Sequence, residues 1–149
     1  MGTYAKILVA VDLSPESEQV LQIATDMAEM NNAQIALMHV TEHPQAIFTH
    51  WSDYVVPYSE EHIRSQLFKN LVELAQNSGI SSDLVSVEFG RTVDAIVSRA
   101  DAENFDLIVL GSHGRHGVQL LLGSTANGVL HHAKCDVLAV RVGVVIEQV

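Results

Sequence analysis

The chain has 149 residues, of which 48% are apolar and 17% charged, with three prolines and nine glycines. That length is one domain's worth, spanning residues 1–149, and a chain so apolar and so weakly charged is not a disordered one. Eighteen acidic against eight basic side chains give a net charge of −10, with the Lys and Arg scattered rather than clustered, so neither nucleic acid nor an anionic membrane is an expected partner.

The opening "MGTYAKILVAVD" carries one lysine before an apolar run of only five residues, too short for a signal peptide or a membrane span. The expected location is the cytoplasm. Residues 5–11 are the first of five β-rich runs. A helix follows, with Ser14 placed to cap it, Pro15 at its first position, Glu16 and Glu18 in its opening turn, and Val20, Leu21, Ala24, Met27 and Ala28 on one face.

Residues 34–40 form the second strand. The stretch "TEHPQAIFTHWSDYVVP", residues 41–57, is long and irregular. Its Trp51 and Tyr54, with Tyr58 beyond it, suit either a lid over a ligand or anchors for the loop itself. A second helix starts near Ser59, buries Ile63, Leu67, Leu71 and Leu74, and ends at Gly79, a residue suited to a left-handed cap.

Residues 84–89 are the third strand, and a helix runs from about Thr92 through Ile96, Val97 and Ala100. Residues 106–110 are the fourth strand. A last helix covers Ser124 to His132, before a fifth strand at residues 136–142. Strands alternating with helices imply parallel pairing through right-handed crossovers. The runs "ILVAV" and "LIVL" are continuously apolar, as central strands are. The expected fold is therefore α/β: a doubly wound, Rossmann-like, five-stranded parallel sheet of order 3-2-1-4-5.

In that order the winding reverses between the first and fourth strands and opens a crevice at their carboxyl ends. Two segments meet there, "VDLSP" after the first strand and "GSHGRHGVQLLLGST" after the fourth. The second holds four of the nine glycines. Glycines let successive N–H groups turn toward one point, and a helix starting at Ser124 adds its own unpaired N–H groups and the positive end of its dipole. Gly123, Ser124 and Thr125 suit a phosphate chain, with Arg115 as the nearest cation. An ordinary glycine-rich connection is the competing reading. Asp12 can accept from ribose hydroxyls or help hold Mg²⁺, or belong simply to the turn before the helix.

Other nucleotide devices do not fit. A P-loop needs a lysine before Ser124, and a dinucleotide fold needs glycines after the first strand, where this chain has "DLSPES". Eight histidines, densest at His113 and His116 and at His131 and His132, form no closed metal-ligand set, and adjacent helical residues point about 100° apart. His113 and His116 read as solvated loop residues that could donate to an anion when protonated. The single cysteine, Cys135, excludes an internal disulfide, fits a reducing compartment and reads as a small packed residue rather than a nucleophile.

The segments "KILVAVDLSPES", "ALMHV", "FDLIVLGSHGRHG", "LLLGST" and "KCDVLAVRV" together resemble the universal stress protein family across essentially the whole chain. The ATP-binding branch of that family carries G-x2-G-x9-G-[S/T]. This sequence offers Gly111, Gly114, Gly123 and Ser124, with eight residues rather than nine between the last two glycines, and Gly117 as an extra flexible point. By resemblance, Asp12 contacts the nucleotide and Val40 presents its backbone to adenine. Gly90 is the glycine before the third helix, without the proline often found after it.

The resemblance implies ATP, ADP or AMP as ligand, with Mg²⁺, and a homodimer formed through the last strand, residues 137–142, with a further protein partner left unidentified. A non-binding dimeric interaction protein of the same fold is the alternative, and a slow ATP hydrolase the third. No catalytic base for water is evident, so turnover is expected to be slow or absent. A phosphoacceptor receiver domain is rejected, because its aspartate and lysine are missing from "VEFGR" and "LAVRV".

Overall fold

The computed structural model describes residues 2–43, 59–113 and 122–142. Five parallel strands, β1 (Lys6–Ala10), β2 (Gln34–Thr41), β3 (Val85–Phe89), β4 (Leu107–Gly111) and β5 (Asp136–Val140), lie in the order β3-β2-β1-β4-β5. Among the described residues four α-helices connect or flank them: α1 (Ser17–Asn31), α2 (Glu60–Asn77), α3 (Thr92–Ala102) and α4 (Ser124–His132). The doubly wound, Rossmann-like topology is the one expected from the alternation of apolar runs and amphipathic stretches.

β1 sits at the centre, and after Lys6 all its residues, Ile7 to Ala10, are buried apolar ones. Ile7, Leu8 and Val9 are fully buried, pointing alternately into two separate cores. On one face Ile7 and Val9 pack with Val20, Leu21 and Ala24 of α1 and Leu71 of α2. On the other, Leu8 and Ala10 pack with Ile96 of α3 and Val129 of α4. The start of β1 is tied down by Asp106, whose carboxylate accepts from the N–H groups of Ala5 (2.8 Å) and Lys6 (3.0 Å).

Two sequence expectations need correction. Ser14 does not cap α1, which begins three residues later with Glu16 at the cap position. The Ser14 N–H is drawn back to Asp12 Oδ1, and its carbonyl accepts from Ser17, so Pro15 lies in a separate turn. The last strand stops at Val140 rather than at Val142, because the Val142 N–H leaves the sheet for Ser112 Oγ. α4 covers Ser124–His132 as expected, with Gly123 at its cap position. The other boundaries agree within one residue, including Ser59, whose side chain accepts from the His62 N–H, and Gly79, with φ +74°.

α3 and α4 approach closely at Gly128. A Cβ there would lie 2.7 Å from Cγ2 of Val93 and 3.2 Å from its Cγ1. Helix propensity alone says that alanine at a mid-helix glycine gains about 1 kcal/mol. Overpacking against a β-branched side chain with one preferred rotamer opposes that by about 1–3 kcal/mol. Gly128→Ala is therefore expected to lower stability by about 1 kcal/mol in urea unfolding, and the Val93→Ala, Gly128→Ala double variant to lose less than the sum of the two single changes. A stabilised Gly128→Ala protein would show that the helices separate freely.

Candidate functional site

A cavity of about 150 Å³ lies at the carboxyl ends of β1, β2 and β4, at the reversal of winding. Its inner wall is apolar, made by Ala10, Val20, Val40, Ile96 and Leu110 among others, and its rim carries Asp12, Ser14, Glu16, Ser17, Thr92 and Thr125. The volume is below the roughly 300–1,000 Å³ that buries a whole drug-sized ligand, so these walls suit one end of a ligand rather than all of it.

Because every strand runs the same way, three helices begin at this edge. α1, α3 and α4 all lack a side-chain cap, and Ser17, Thr92 and Thr125, from their first two residues, line the cavity. α2, which does not reach it, is the helix capped by a serine. In α1 the Ser17 and Gln19 N–H groups donate to the carbonyls of Ser14 and Glu16. The other N–H groups of the three first turns have no side-chain cap and stand at the positive ends of helix dipoles, so their convergence favours a negatively charged or acceptor-rich ligand.

Asp12 is held in a local turn. Its Oδ1 accepts from the Ser14 N–H (3.0 Å) and the Ser17 hydroxyl (3.3 Å). Between them Leu13 has φ +61°, a left-handed backbone unusual for a branched aliphatic residue, and its side chain packs against the α1 core. The turn reading of Asp12 is thus realised, and the residue also faces the cavity.

Of the sequence-predicted site residues, Asp12, Val40, Gly111 and Thr125 line the cavity. Gly123 and Ser124 stand just outside its wall. The Gly123 N–H donates to the Ser112 carbonyl (2.6 Å), and so is committed to closing the neck of the glycine-rich segment. Gly114 and Arg115 lie outside the described residues, as do His116, Trp51, Tyr54 and Tyr58.

His113 departs from the solvated role expected of it. It lines the cavity, its Nδ1 is 3.0 Å from Ser112 Oγ, and its Nε2 is buried without a hydrogen-bond partner among the described residues. Ser112 Oγ also accepts from the Val142 N–H (3.4 Å) and keeps both a lone pair and its own proton for Nδ1, so the contact serves either tautomer of the ring. Glu16 and Thr92, read only as residues of helix starts, and Ser17, which no pattern singled out, also line the cavity. Parallel topology was the signal, since it sends those starts to the ligand edge.

Cys135 sits at the opposite end of the sheet. Burial pushes its thiol up, with the carboxylates of Asp136 and Asp106 adding to the effect, which opposes a reactive thiolate. Among the described residues no group of three or more His, Cys, Asp and Glu side chains gathers at metal-binding distance, and no helix is long and apolar enough to cross a membrane.

Residues 3–141 match the model of the universal stress protein family. The chain is 42% identical over 143 residues to universal stress protein A homolog 2 of Coxiella burnetii, covering 95% of this chain and 98% of that protein. It is 39% identical over 140 residues to homolog 1 of the same organism, covering 92% and 96%. Among solved structures it is similar to the universal stress protein UspA from Lactobacillus plantarum, with TM-score 0.65, 25% identity and coverage of 95% and 100%. It also resembles in fold a universal stress protein in complex with cAMP, with TM-score 0.61, 24% identity and coverage of 92% and 96%.

Asp12→Ala removes both acceptor bonds of the turn and is expected to lower unfolding free energy by about 1–2 kcal/mol. Asp12→Asn keeps the Oδ1 acceptor and should retain most of it. Equal losses in the two variants, measured by denaturant titration, would mean that the carboxylate charge and not the turn matters.

Proposed function

The chain belongs to the universal stress protein family, and from that premise we propose that it is an adenine-nucleotide-binding member, a single domain acting as a nucleotide-responsive regulatory module in the cytoplasm. The observation that carries the reading is the meeting of three uncapped helix N-termini at one cavity whose inner wall is apolar. A flat heterocycle gains from the apolar wall, and a phosphate gains from the helix ends.

In this reading the base lies between the ends of β1 and β2 against Val40, the ribose lies at Asp12, and the phosphates run along the segment from Gly111 through Gly114 and Arg115 to Gly123, Ser124 and Thr125. His113 supplies a further donor in the tautomer protonated at Nε2. Two carboxylates, Asp12 and Glu16, stand on the cavity rim. They repel a triphosphate unless a divalent cation lies between, which is why Mg²⁺ belongs to the proposal. The same premise makes β5 the edge for a homodimer, since it is an outer strand paired only with β4.

One observation favours the second reading, a dimeric interaction protein that binds no nucleotide. The Gly123 amide is already spent on Ser112, so one donor of the expected phosphate cradle is engaged.

Purified protein is expected to release adenine nucleotide on heating. Stripped protein should gain stability from ATP, ADP or AMP with Mg²⁺, by about 5–10 °C at roughly 100-fold excess over Kd. Gly123 has φ −63° and ψ 158°, a conformation valine adopts without strain, so Gly123→Val should fold normally while its branched side chain blocks the phosphate approach. An empty protein whose melting temperature ignores all three nucleotides would leave the interaction-protein reading standing. Undiminished affinity in Gly123→Val would move the phosphates elsewhere.

A further inference from the structure

In a parallel sheet the N–H and C=O of one residue point to the same neighbouring strand, and alternate residues point to alternate neighbours. Ala10 pairs with Met38, and the Val11 N–H donates to the Met38 carbonyl (3.0 Å). Met38 therefore faces β1, and so does Val40, two residues further on. A ladder that continued would next join the Val40 N–H to the Val11 carbonyl. Among the described residues that bond is not made. The Val11 carbonyl is instead 2.8 Å from Nδ1 of His39.

A carbonyl only accepts, so His39 Nδ1 carries a proton in this contact whatever the charge of the ring. Its position is informative. The contact comes from the neighbouring strand, one residue before Val40, and engages the Val11 carbonyl at the point where the chain enters the Asp12–Ser14 turn. Both Val11 and Val40 line the cavity.

We infer that His39 is a positioning residue: by holding the Val11 carbonyl it stops the β1–β2 ladder one bond early and keeps the main-chain N–H and C=O of Val40 open to a ligand. The ligand is the adenine that the family resemblance sets against Val40, and the pair is compatible with it. A donor and an acceptor on one residue at the end of a strand match a partner that presents an acceptor beside a donor, as the ring-nitrogen and amino edge of a purine does. That part rests on the nucleotide reading above. The part concerning the ladder does not.

Three variants separate positioning from simple filling of space. His39→Leu removes the donor. His39→Gln places an amide nitrogen near where Nε2 stood, beyond reach of the carbonyl, and covers the case in which the leucine variant does not fold. His39→Asn places its amide nitrogen near Nδ1 and should rescue. In ¹⁵N-labelled protein without nucleotide, amide exchange at Val40 in D₂O is expected to slow at least tenfold in His39→Leu and His39→Gln, as the freed Val11 carbonyl takes the Val40 N–H, and to stay near the wild-type rate in His39→Asn.

Affinity for AMP, measured by calorimetry, is expected to fall at least tenfold in the first two variants and less than threefold in the third. Lost thermal stability with wild-type exchange at Val40 would overturn the inference, because it would make His39 a packing residue. If the wild-type protein binds no AMP, the nucleotide reading falls, and exchange at Val40 alone then decides the role of His39.

Discussion

The common direction of the five strands is the constraint from which the rest of the molecule follows. A parallel strand can be reached only by a crossover, and each crossover returns its helix to the sheet with the N-terminus near the carboxyl end of the preceding strand. Three helix starts, from α1, α3 and α4, are thereby delivered to one edge, where the sheet supplies an apolar floor. An antiparallel sheet of the same strands would scatter those dipoles between two edges. The polarity of the cavity is thus inherited from topology, and individual side chains refine it.

That refinement is economical in buried polar groups. Ser17 and Ser112 are the buried polar side chains among the described residues, and both serve the same edge. Ser17 supports Asp12, and Ser112 ties together the end of β4, Gly123 and the chain after β5. Elsewhere the buried side chains among the described residues are apolar, which allows the edge to carry an unusual backbone at Leu13 without loosening the sheet. Local strain persists where surrounding packing overdetermines it.

Much of this was legible from residue order. Continuous apolar runs at β1 and β4 announce strands buried on both faces, and glycine or serine at helix ends fixed most boundaries. The switch point of the winding located Asp12, Gly111 and Thr125 without coordinates, and the family resemblance located Val40. Ser14 misled because a serine before a proline and two glutamates has the chemistry of a cap. Competition from Asp12 for its N–H is a matter of angle that no pattern carries. His39 was illegible for another reason. Its significance lies in the register of β1 against β2, and register emerges only when the strands are aligned. His113 looked like any loop histidine until its ring nitrogen proved to be buried.

The two sheet edges are treated differently. At β3, Arg64 of α2 donates to the Val87 carbonyl and lies over the Phe89 ring at 4.8 Å, covering the strand with charge. At the opposite side β5 is shorter than its apolar run suggested, because Ser112 recruits Val142.

Where Gly128 meets Val93 there is no side chain of α4 to act as a cushion. Two elements in such contact cannot slide or tilt independently, because interiors packed to this density compress little. Thr92 and Thr125 are thus carried on a single stiff plate. A force applied at either threonine is therefore shared between the two helices rather than absorbed by one.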